Sequence, residues 1–256
     1  MKEFKGKVVV VTGGASGIGL ALCTRFVKEG ANVVLSDLNE KAAKEKAEQI
    51  GATAIPANVA KEDDIKNLVE KTIALYGQID LFVSNAGIAI LGDENLPQEK
   101  WHLAYDVNVM SHVYAAKYVL PYMKAKGSGY LLNVASAAGL LMEFHSAPYT
   151  ASKHAAVGFA EWLAVACAKD GIKVSVLCPA GVRTPMAEDI PSLMQHAITT
   201  EEVVEYTLKA LANEEFMIST HDYILKIFQM KAADYQKYIT LQQDRAKAEI
   251  ETADRQ

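Results

Sequence analysis

Short uninterrupted apolar runs alternate along this chain with longer stretches in which apolar residues recur every three or four positions. The apolar runs lack the alternation of a strand with one wet face, which is typical of strands covered on both sides. Such strands are predicted at residues 7–11, 31–35, 53–55, 79–83, 130–134 and 174–177. Helices are predicted between them, over residues 17–30, 40–50, 61–76, 99–126 and 149–170.

The repeated order of strand and helix predicts an α/β fold, a Rossmann-like doubly wound parallel sheet with helices on both faces. Residues 1–220 are expected to form one dinucleotide-binding and catalytic domain, with a last short strand at 216–219. From residue 222 to about 241 the apolar positions share one helical stripe. Residues 221–256 are therefore expected to be a helical C-terminal extension of the same domain, fraying after Leu241.

Composition narrows the classes of function. Half of the 256 residues are hydrophobic and 22% are charged, as in ordinary globular proteins. A net charge of -5 lacks the basic balance of a nucleic-acid binder. The three cysteines form no CxxC pair, which predicts no metal site and favours a cytoplasmic location. The longest uncharged run, from Val8 to Thr24, contains four glycines and predicts no membrane-spanning helix.

A glycine-rich segment after the first predicted strand indicates a phosphate site. It reads Thr-Gly-Gly-Ala-Ser-Gly-Ile-Gly at residues 12–19 and opens the first predicted helix. Glycine allows the backbone to turn sharply and approach a ligand, and the free N–H groups of a helix start attract a pyrophosphate. The expected cofactor-binding residues of this loop are Gly13, Ser16, Gly17, Ile18 and Gly19.

Asp37 ends the second predicted strand. A carboxylate at this place accepts the hydroxyls of an adenosine ribose and repels a 2′-phosphate. Neither Ser16 nor Leu38 supplies a cation that would attract such a phosphate. The sequence therefore predicts NAD as the cofactor, rather than NADP.

Tyr149 and Lys153 are four residues apart at the start of the fifth predicted helix, on the same helix face. A nearby ammonium favours the phenolate and lowers the pKa of a tyrosine, which can then exchange a proton with an alcohol or carbonyl. Ser136 lies just after the fifth predicted strand, where its hydroxyl is placed to hold the same substrate oxygen. The three residues predict an alcohol or carbonyl oxidoreductase.

These motifs together resemble the short-chain dehydrogenase/reductase family, nearly end to end through residue 220. Besides the glycine loop and the tyrosine–lysine pair, the chain has Asn-Ala-Gly at 85–87 after the fourth predicted strand. Asn108 stands in Asp-Val-Asn-Val, and residues 179–184 read Pro-Ala-Gly-Val-Arg-Thr. Six motifs in register identify the chain as an NAD-dependent member of that family.

The resemblance implies a catalytic tetrad. Tyr149 is its acid and base. Lys153 holds the nicotinamide ribose, Ser136 orients the substrate oxygen, and Asn108 anchors a water chain. Further cofactor contacts are implied for Asn58 and Val59 beside the adenine, for Asn85, Ala86 and Gly87 in the cleft, for Pro179, Val182 and Thr184 at the carboxamide, and for Tyr149 and Lys153.

The substrate walls are expected from residues 88–91, 140–144 and 185–197, which are largely apolar. Arg183 is the only arginine expected near them, so an uncharged hydrophobic secondary alcohol or ketone is predicted, steroid-like, aryl or cyclic. The expected substrate-binding residues are Ser136, Met142, His145, Tyr149 and Met186, although a purely structural loop histidine is an open alternative for His145.

Alternatives remain for the function and the assembly. The same fold hosts NAD-binding sensors or scaffolds without chemistry, and also dehydratases and epimerases. In many relatives the helices at 99–126 and 149–170 pair across a two-fold axis, which predicts a homodimer or homotetramer. The ending typical of tetrameric members is missing, and the helical tail is expected to pack near the substrate loop.

Overall fold

The computed structural model describes residues 1–187, 194 and 196–253. Within these residues, seven strands form one parallel sheet in the order β3-β2-β1-β4-β5-β6-β7. The strands are β1 (Val8–Thr12), β2 (Asn32–Ser36), β3 (Thr53–Ala54), β4 (Leu81–Ser84), β5 (Gly129–Val134), β6 (Ile172–Cys178) and β7 (Met217–Ser219). The predicted Rossmann-like fold is confirmed.

Helices cover both faces of this sheet. They are α1 (Gly17–Lys28), α2 (Glu40–Ile50), α3 (Glu62–Tyr76), α4 (Gln98–Tyr105), α5 (Ser111–Lys126), α6 (Ala147–Ala166), α7 (Thr200–Asn213), α8 (Asp222–Ala233) and α9 (Tyr235–Ala253). One face packs against α1, α2 and α7, and the opposite face packs against α3, α5 and α6.

The first strand shows why its sequence is a run of valines. Val9 and Val11 point into the core between the sheet and α1, whereas Val10 points into the core on the α3 side. All three are completely buried. Because both faces are covered, no position of the strand gains from being polar.

Three local features differ from the sequence predictions. The helix predicted over 99–126 is interrupted by one turn of π-helix (Asp106–Met110) between α4 and α5. Helix α7 was not predicted, although Thr199 and Glu202 form a capping box at its start, a signal readable from the sequence. The tail does not fray after Leu241, because α9 continues to Ala253 through residues that favour helix.

The two C-terminal helices, α8 and α9, bury their apolar stripe against α6. Ile224 of α8 and Tyr238 of α9 join the same core cluster as Ala156 and Ala160 of α6. None of the helices in the described part has the length and hydropathy needed to cross a bilayer. Residues 1–187, 194 and 196–253 also contain no group of three side chains placed to hold a metal ion.

Candidate active site

A cleft of about 1200 Å³ opens at the carboxyl ends of the strands, where ligands bind in sheets of this topology. It brings together most of the residues predicted from the sequence: Gly13, Ser16, Gly17, Ile18, Asp37, Asn58, Val59, Asn85, Ala86, Gly87, Ser136, Met142, Tyr149, Lys153, Pro179, Val182, Thr184 and Met186. Gly19, Asn108 and His145 lie outside its lining.

The glycine loop is built so tightly that side chains are excluded. Gly13 has a φ of 63°, and a Cβ on it would come within 2.9 Å of the Ala86 Cα. A Cβ on Gly19 would overlap the carbonyl oxygen of Gly13. Asn85 supports the loop from β4, since its Nδ2 donates to the carbonyl oxygens of Thr12 at 2.9 Å and Gly13 at 3.1 Å. The loop can therefore offer bare backbone to a ligand.

Asp37 is held at the mouth of this loop by two backbone groups. Its Oδ2 accepts from the N–H of Ala15 at 3.1 Å, and its Oδ1 accepts from the N–H of Asn39 at 3.0 Å. The neighbouring Leu38 is 73% exposed and brings an apolar side chain to the cleft. The carboxylate is fixed in position and keeps lone pairs for the hydroxyls of a ribose.

Asn58 lies on the opposite side of the same part of the cleft. Its Oδ1 accepts from the N–H of Ala60 at 3.0 Å, while its own N–H donates to Asp64 at 2.9 Å. The side-chain oxygen of Asn58 therefore stabilises the turn after β3. The oxygen of an aspartate would accept the same hydrogen bond. This turn places Val59 in the cleft lining.

Tyr149 lies in the first turn of α6, which begins at a cap formed by Ser146. The Ser146 hydroxyl accepts from the N–H of Tyr149 at 3.2 Å, so the cap itself fixes where the tyrosine leaves the helix. Lys153 follows one turn later, with its Nζ 5.7 Å from the centre of the Tyr149 ring. Its ammonium donates to the carbonyl oxygen of Val134 at 3.1 Å. The strand end and the helix start thus hold the pair together.

Burial dominates the titration of this pair in the protein alone. It raises the pKa of the Tyr149 phenol, and a hydrogen bond with Ser136 lowers that pKa in part. Burial also lowers the pKa of Lys153 to about 8. In the protein alone the phenol is therefore protonated at neutral pH, and the lowering of its pKa by Lys153 stays a prediction. A protonated phenol is the form that donates to a carbonyl oxygen.

Asn108 is buried in the π-helical turn and uses its whole amide group inside the protein. Its Oδ1 accepts from the N–H of Ile88 at 2.9 Å, and its Nδ2 donates to the Ile88 carbonyl and to the Ser152 hydroxyl, both at 3.0 Å. It therefore ties the loop after β4 to α6. A Cβ on Gly87 would lie 3.2 Å from both Asn108 and Lys153, so glycine makes room where these side chains meet.

His112 lies one turn after Asn108, at the start of α5. It is buried, and neither ring nitrogen has a hydrogen-bond partner in the described part of the chain. Burial, assisted by the charge of Lys153, lowers the pKa of His112 to about 3. The ring is neutral at working pH and adds no charge beside Lys153.

The cleft lining also contains His196, from the expected third substrate wall, and six residues that the sequence did not assign to the site: His221, Tyr223, Ile224, Ile227, Gln242 and Arg245. These six belong to α8, α9 or the residue that caps α8. Arg183 is exposed and outside the lining, so the arginine near the substrate walls is Arg245 instead. The tail was expected near the substrate loop, but its apolar stripe gave no sign of which polar residues reach the pocket.

His145 is corrected as a substrate residue. It is exposed, and its ring contacts Phe144 edge-on with 5.5 Å between the ring centres, away from the cleft lining. The turn that precedes the α6 cap directs it outwards. Leu193, expected in the third substrate wall, lies outside the described residues.

Comparisons with known proteins agree with this geometry. The family model described as short chain dehydrogenase matches residues 7–194. D-beta-hydroxybutyrate dehydrogenase of Rhizobium meliloti is 33% identical over 222 residues, which cover 82% of this chain and 86% of that protein. Cyclohexanol dehydrogenase of an Acinetobacter species is 30% identical over 237 residues, covering 87% and 94%.

A solved structure is similar over nearly the full length. It is a short-chain dehydrogenase/reductase from Burkholderia phymatum in complex with NAD, with a TM-score of 0.86 and 28% identity. The match covers 94% of this chain and 97% of that one. Fold, cleft and motifs agree with the match of the family model over most of the chain, and the protein belongs to the short-chain dehydrogenase/reductase family.

Proposed function

We propose that this oxidoreductase is an NAD-dependent dehydrogenase of hydrophobic secondary alcohols, and equally a reductase of the corresponding ketones. The observation that carries the proposal is the meeting of Ser136, Tyr149 and Lys153 in the same cleft as the glycine loop. A hydroxyl, a phenol and a lysine around one point form a set that can move one proton to or from a substrate oxygen.

The glycine loop and Asp37 together form a site that suits a dinucleotide. Side chains are excluded where a pyrophosphate would approach Gly13 and Gly17, and Asp37 lies at the mouth of the same loop. Thr184 lies beside Gly17, close to the proposed carboxamide site. When bound, a nicotinamide cofactor exchanges a hydride with the carbinol carbon of the substrate.

Asp37 is expected to make the enzyme prefer NAD over NADP. An added 2′-phosphate would meet the fixed carboxylate, and Leu38 offers it no cation. Replacing Asp37→Ala should reduce the ratio of kcat/KM between NAD and NADP about tenfold or more, since like charges at contact cost several kcal/mol. Steady-state kinetics with both cofactors measure this ratio.

Asp63→Ala is a suitable control, because it removes an exposed carboxylate from the first turn of α3 and leaves the loop after β2 intact. Its NAD to NADP ratio should stay near that of the wild-type enzyme. Equal kcat/KM with both cofactors in the wild-type enzyme contradicts the assignment of Asp37.

Tyr149, Ser136 and Lys153 have different roles in the proposed proton transfer. Tyr149 gives its proton to the carbonyl oxygen in reduction, which leaves a phenolate. Oxidation is the reverse step, in which this phenolate takes the proton of the alcohol. Ser136 is fixed by the N–H of Ala138, which donates to its Oγ at 3.1 Å, and the serine hydroxyl steadies the substrate oxygen as its charge develops. Lys153 keeps a positive charge beside the phenol below about pH 8.

The substrate class follows from the walls. Leu91, Leu141, Met142, Met186 and Ile224 surround the space beside Tyr149 with apolar surface. Glu143 and Arg245 both line the outer end, so opposite charges face this part of the pocket and neither sign dominates it. These features favour an uncharged cyclic alcohol, like that in the name of the Acinetobacter relative, over a small hydroxy acid.

A panel of alcohols with NAD, followed by the absorbance of NADH, tests the proposal. We expect turnover of cyclohexanol and of bulkier secondary alcohols, with lower kcat/KM for 3-hydroxybutyrate. A sensor or scaffold would bind NADH without turning over any member. A dehydratase or epimerase would consume substrate without net change in NADH.

We also propose that the protein forms at least a homodimer through α5 and α6. Large apolar side chains stand exposed there, with Tyr122 at 42%, Trp162 at 64% and Val165 at 81% exposure. Phe159 stacks on Trp162 and extends the apolar surface. A patch of this kind is typical of an interface between subunits. Light scattering should therefore give at least twice the 27.8 kDa of one chain, and a monomer contradicts this proposal.

A further inference from the structure

Lys231 is a buried lysine of α8 that lies outside the cleft lining. Its side chain is 9% exposed, and burial lowers its pKa. Its Nζ donates to the carbonyl oxygen of Leu140 at 2.7 Å and lies 3.3 Å from the Nε2 of His154. The rings of Tyr235 and Tyr238 flank the ammonium, with their centres 5.5 and 5.4 Å away. A buried cation with this many partners holds a defined geometry.

The direction of these hydrogen bonds follows from the histidine. The Nδ1 of His154 lies 2.9 Å from the carbonyl oxygen of Thr150, which can only accept, so Nδ1 carries the proton. The Nε2 faces the ammonium of Lys231, which can only donate, so Nε2 is the acceptor of this hydrogen bond. Lys231 therefore joins α8 to the turn of α6 that carries Tyr149 and Lys153.

A second contact comes from α9. The phenol of Tyr238 is almost completely buried and accepts from the N–H of Met142 at 2.8 Å. The hydroxyl of Thr150 completes the set, since it donates to the Glu143 carbonyl at 2.9 Å and accepts from the Glu143 N–H at 3.0 Å. We call residues 140–143 the wall segment. Side chains of α6, α8 and α9 together fix its backbone.

The wall segment belongs to the substrate pocket. Leu141, Met142 and Glu143 line the cleft, and Ile224 and Ile227 of α8 line it as well, in the same apolar cluster as Leu141. Helix α8 therefore both lines the pocket and anchors the wall segment. If Lys231 is replaced by a residue that cannot donate, the buried carbonyl of Leu140 loses its hydrogen-bond donor. The wall segment is then free to move relative to Tyr149.

We propose that Lys231 and Tyr238 are positioning residues that set the distance between the wall segment and Tyr149 and thereby select the substrate by size. The inference rests on the proposed alcohol dehydrogenase function and deepens it. It assigns specificity to two side chains that touch neither the cofactor loop nor the reacting atoms. The C-terminal helices are, in this view, the part of the chain that decides which alcohol fits.

The test compares Lys231→Met with Lys226→Met. Both changes remove a lysine from α8, but Lys226 is exposed. For Lys231→Met, we expect KM for the bicyclic alcohol decahydro-2-naphthol to change about tenfold, the equivalent of about one charged hydrogen bond. The kcat for cyclohexanol and the Kd for NADH should stay within about twofold of wild type, because Tyr149 and the glycine loop are untouched. Lys226→Met should change none of these values.

Tyr238→Phe provides a second, milder variant. It removes only the hydroxyl that accepts from Met142 and keeps the buried ring. The ratio of KM values for the bicyclic alcohol and cyclohexanol should shift in the same direction as in Lys231→Met, by a smaller factor. Hydrogen exchange of the Met142 and Glu143 amides should be faster in both variants and unchanged in Lys226→Met. A purely structural role would lower the melting temperature and leave the KM ratio unchanged.

A wild-type KM ratio in a folded Lys231→Met enzyme overturns the proposal, as does an equal shift in Lys226→Met. If Lys231→Met does not fold, the KM ratio of Tyr238→Phe decides in the same way. Failure of the proposed function is distinguishable, because the wild-type enzyme itself would then turn over no alcohol of the panel. That result would remove the premise of the size selection as well.

Discussion

Replacing Tyr149→Phe is expected to lower kcat by about 10²–10⁴-fold, the usual value of a positioned acid or base. The variant keeps the aromatic ring near Lys153 and removes the hydroxyl that carries the transferred proton and bonds to Ser136. Single-turnover measurements of NADH formation should show the loss in the chemical step. NADH fluorescence titration should give a Kd within about twofold of wild type, since the glycine loop is unchanged.

Tyr206→Phe serves as the control for this experiment. Tyr206 lies on α7, is 44% exposed and is remote from the cleft lining. The Tyr206→Phe variant also loses one phenol hydroxyl, but its kcat should equal that of the wild-type enzyme. A Tyr149→Phe enzyme with near-normal kcat would show that another group transfers the proton and would refute the role proposed for Tyr149.

Replacing Gly19→Ala is expected to weaken NADH binding at least about 100-fold, which corresponds to about 3 kcal/mol. The new Cβ would overlap the Gly13 carbonyl oxygen and lie 2.5 Å from the Asn85 Nδ2. The neighbours are backbone and a side chain already committed to two hydrogen bonds, so they cannot move without opening the loop. Fluorescence titration and the thermal shift produced by NAD both measure the loss.

Gly158→Ala is the matched control, because a Cβ at this exposed position of α6 meets no described atom of its own chain within 4 Å. Since Gly158 lies on a helix of the proposed subunit interface, light scattering should first show that the assembly of this variant is unchanged. Alanine favours helix over glycine by about 1 kcal/mol, so the control should be at least as stable as wild type. NADH binding as tight in Gly19→Ala as in this control would mean that the loop does not hold the cofactor.

Much of the fold was predictable because burial leaves a direct trace in the sequence. The valines of β1 form an apolar run because both sides of the strand are covered, and its predicted and observed bounds differ by one residue. The turn of π-helix at Asp106–Met110 leaves no comparable trace. The π-helical turn contains Asn108, which contacts Ile88 and Ser152, and these contacts exist only in the folded molecule.

The candidate site divides in the same way. Gly13, Asp37 and Tyr149 belong to short motifs whose meaning is local, so their place in the cleft could be predicted. Arg245 and Lys231 belong to contacts between the tail and parts of the chain about 90 residues or more away, and nothing in their own neighbourhood announces them.

The contact between Met142 and Tyr238 has a consequence for synthesis of the chain. The two residues are 96 positions apart, and the ribosome adds about 5–20 residues per second. The nascent chain therefore carries its glycine loop and wall segment for about 5–20 s before the phenol that anchors Met142 is made. During this interval the growing polypeptide has no finished pocket. The proposed selectivity for one alcohol over another would therefore be established only after Tyr238 has been synthesised.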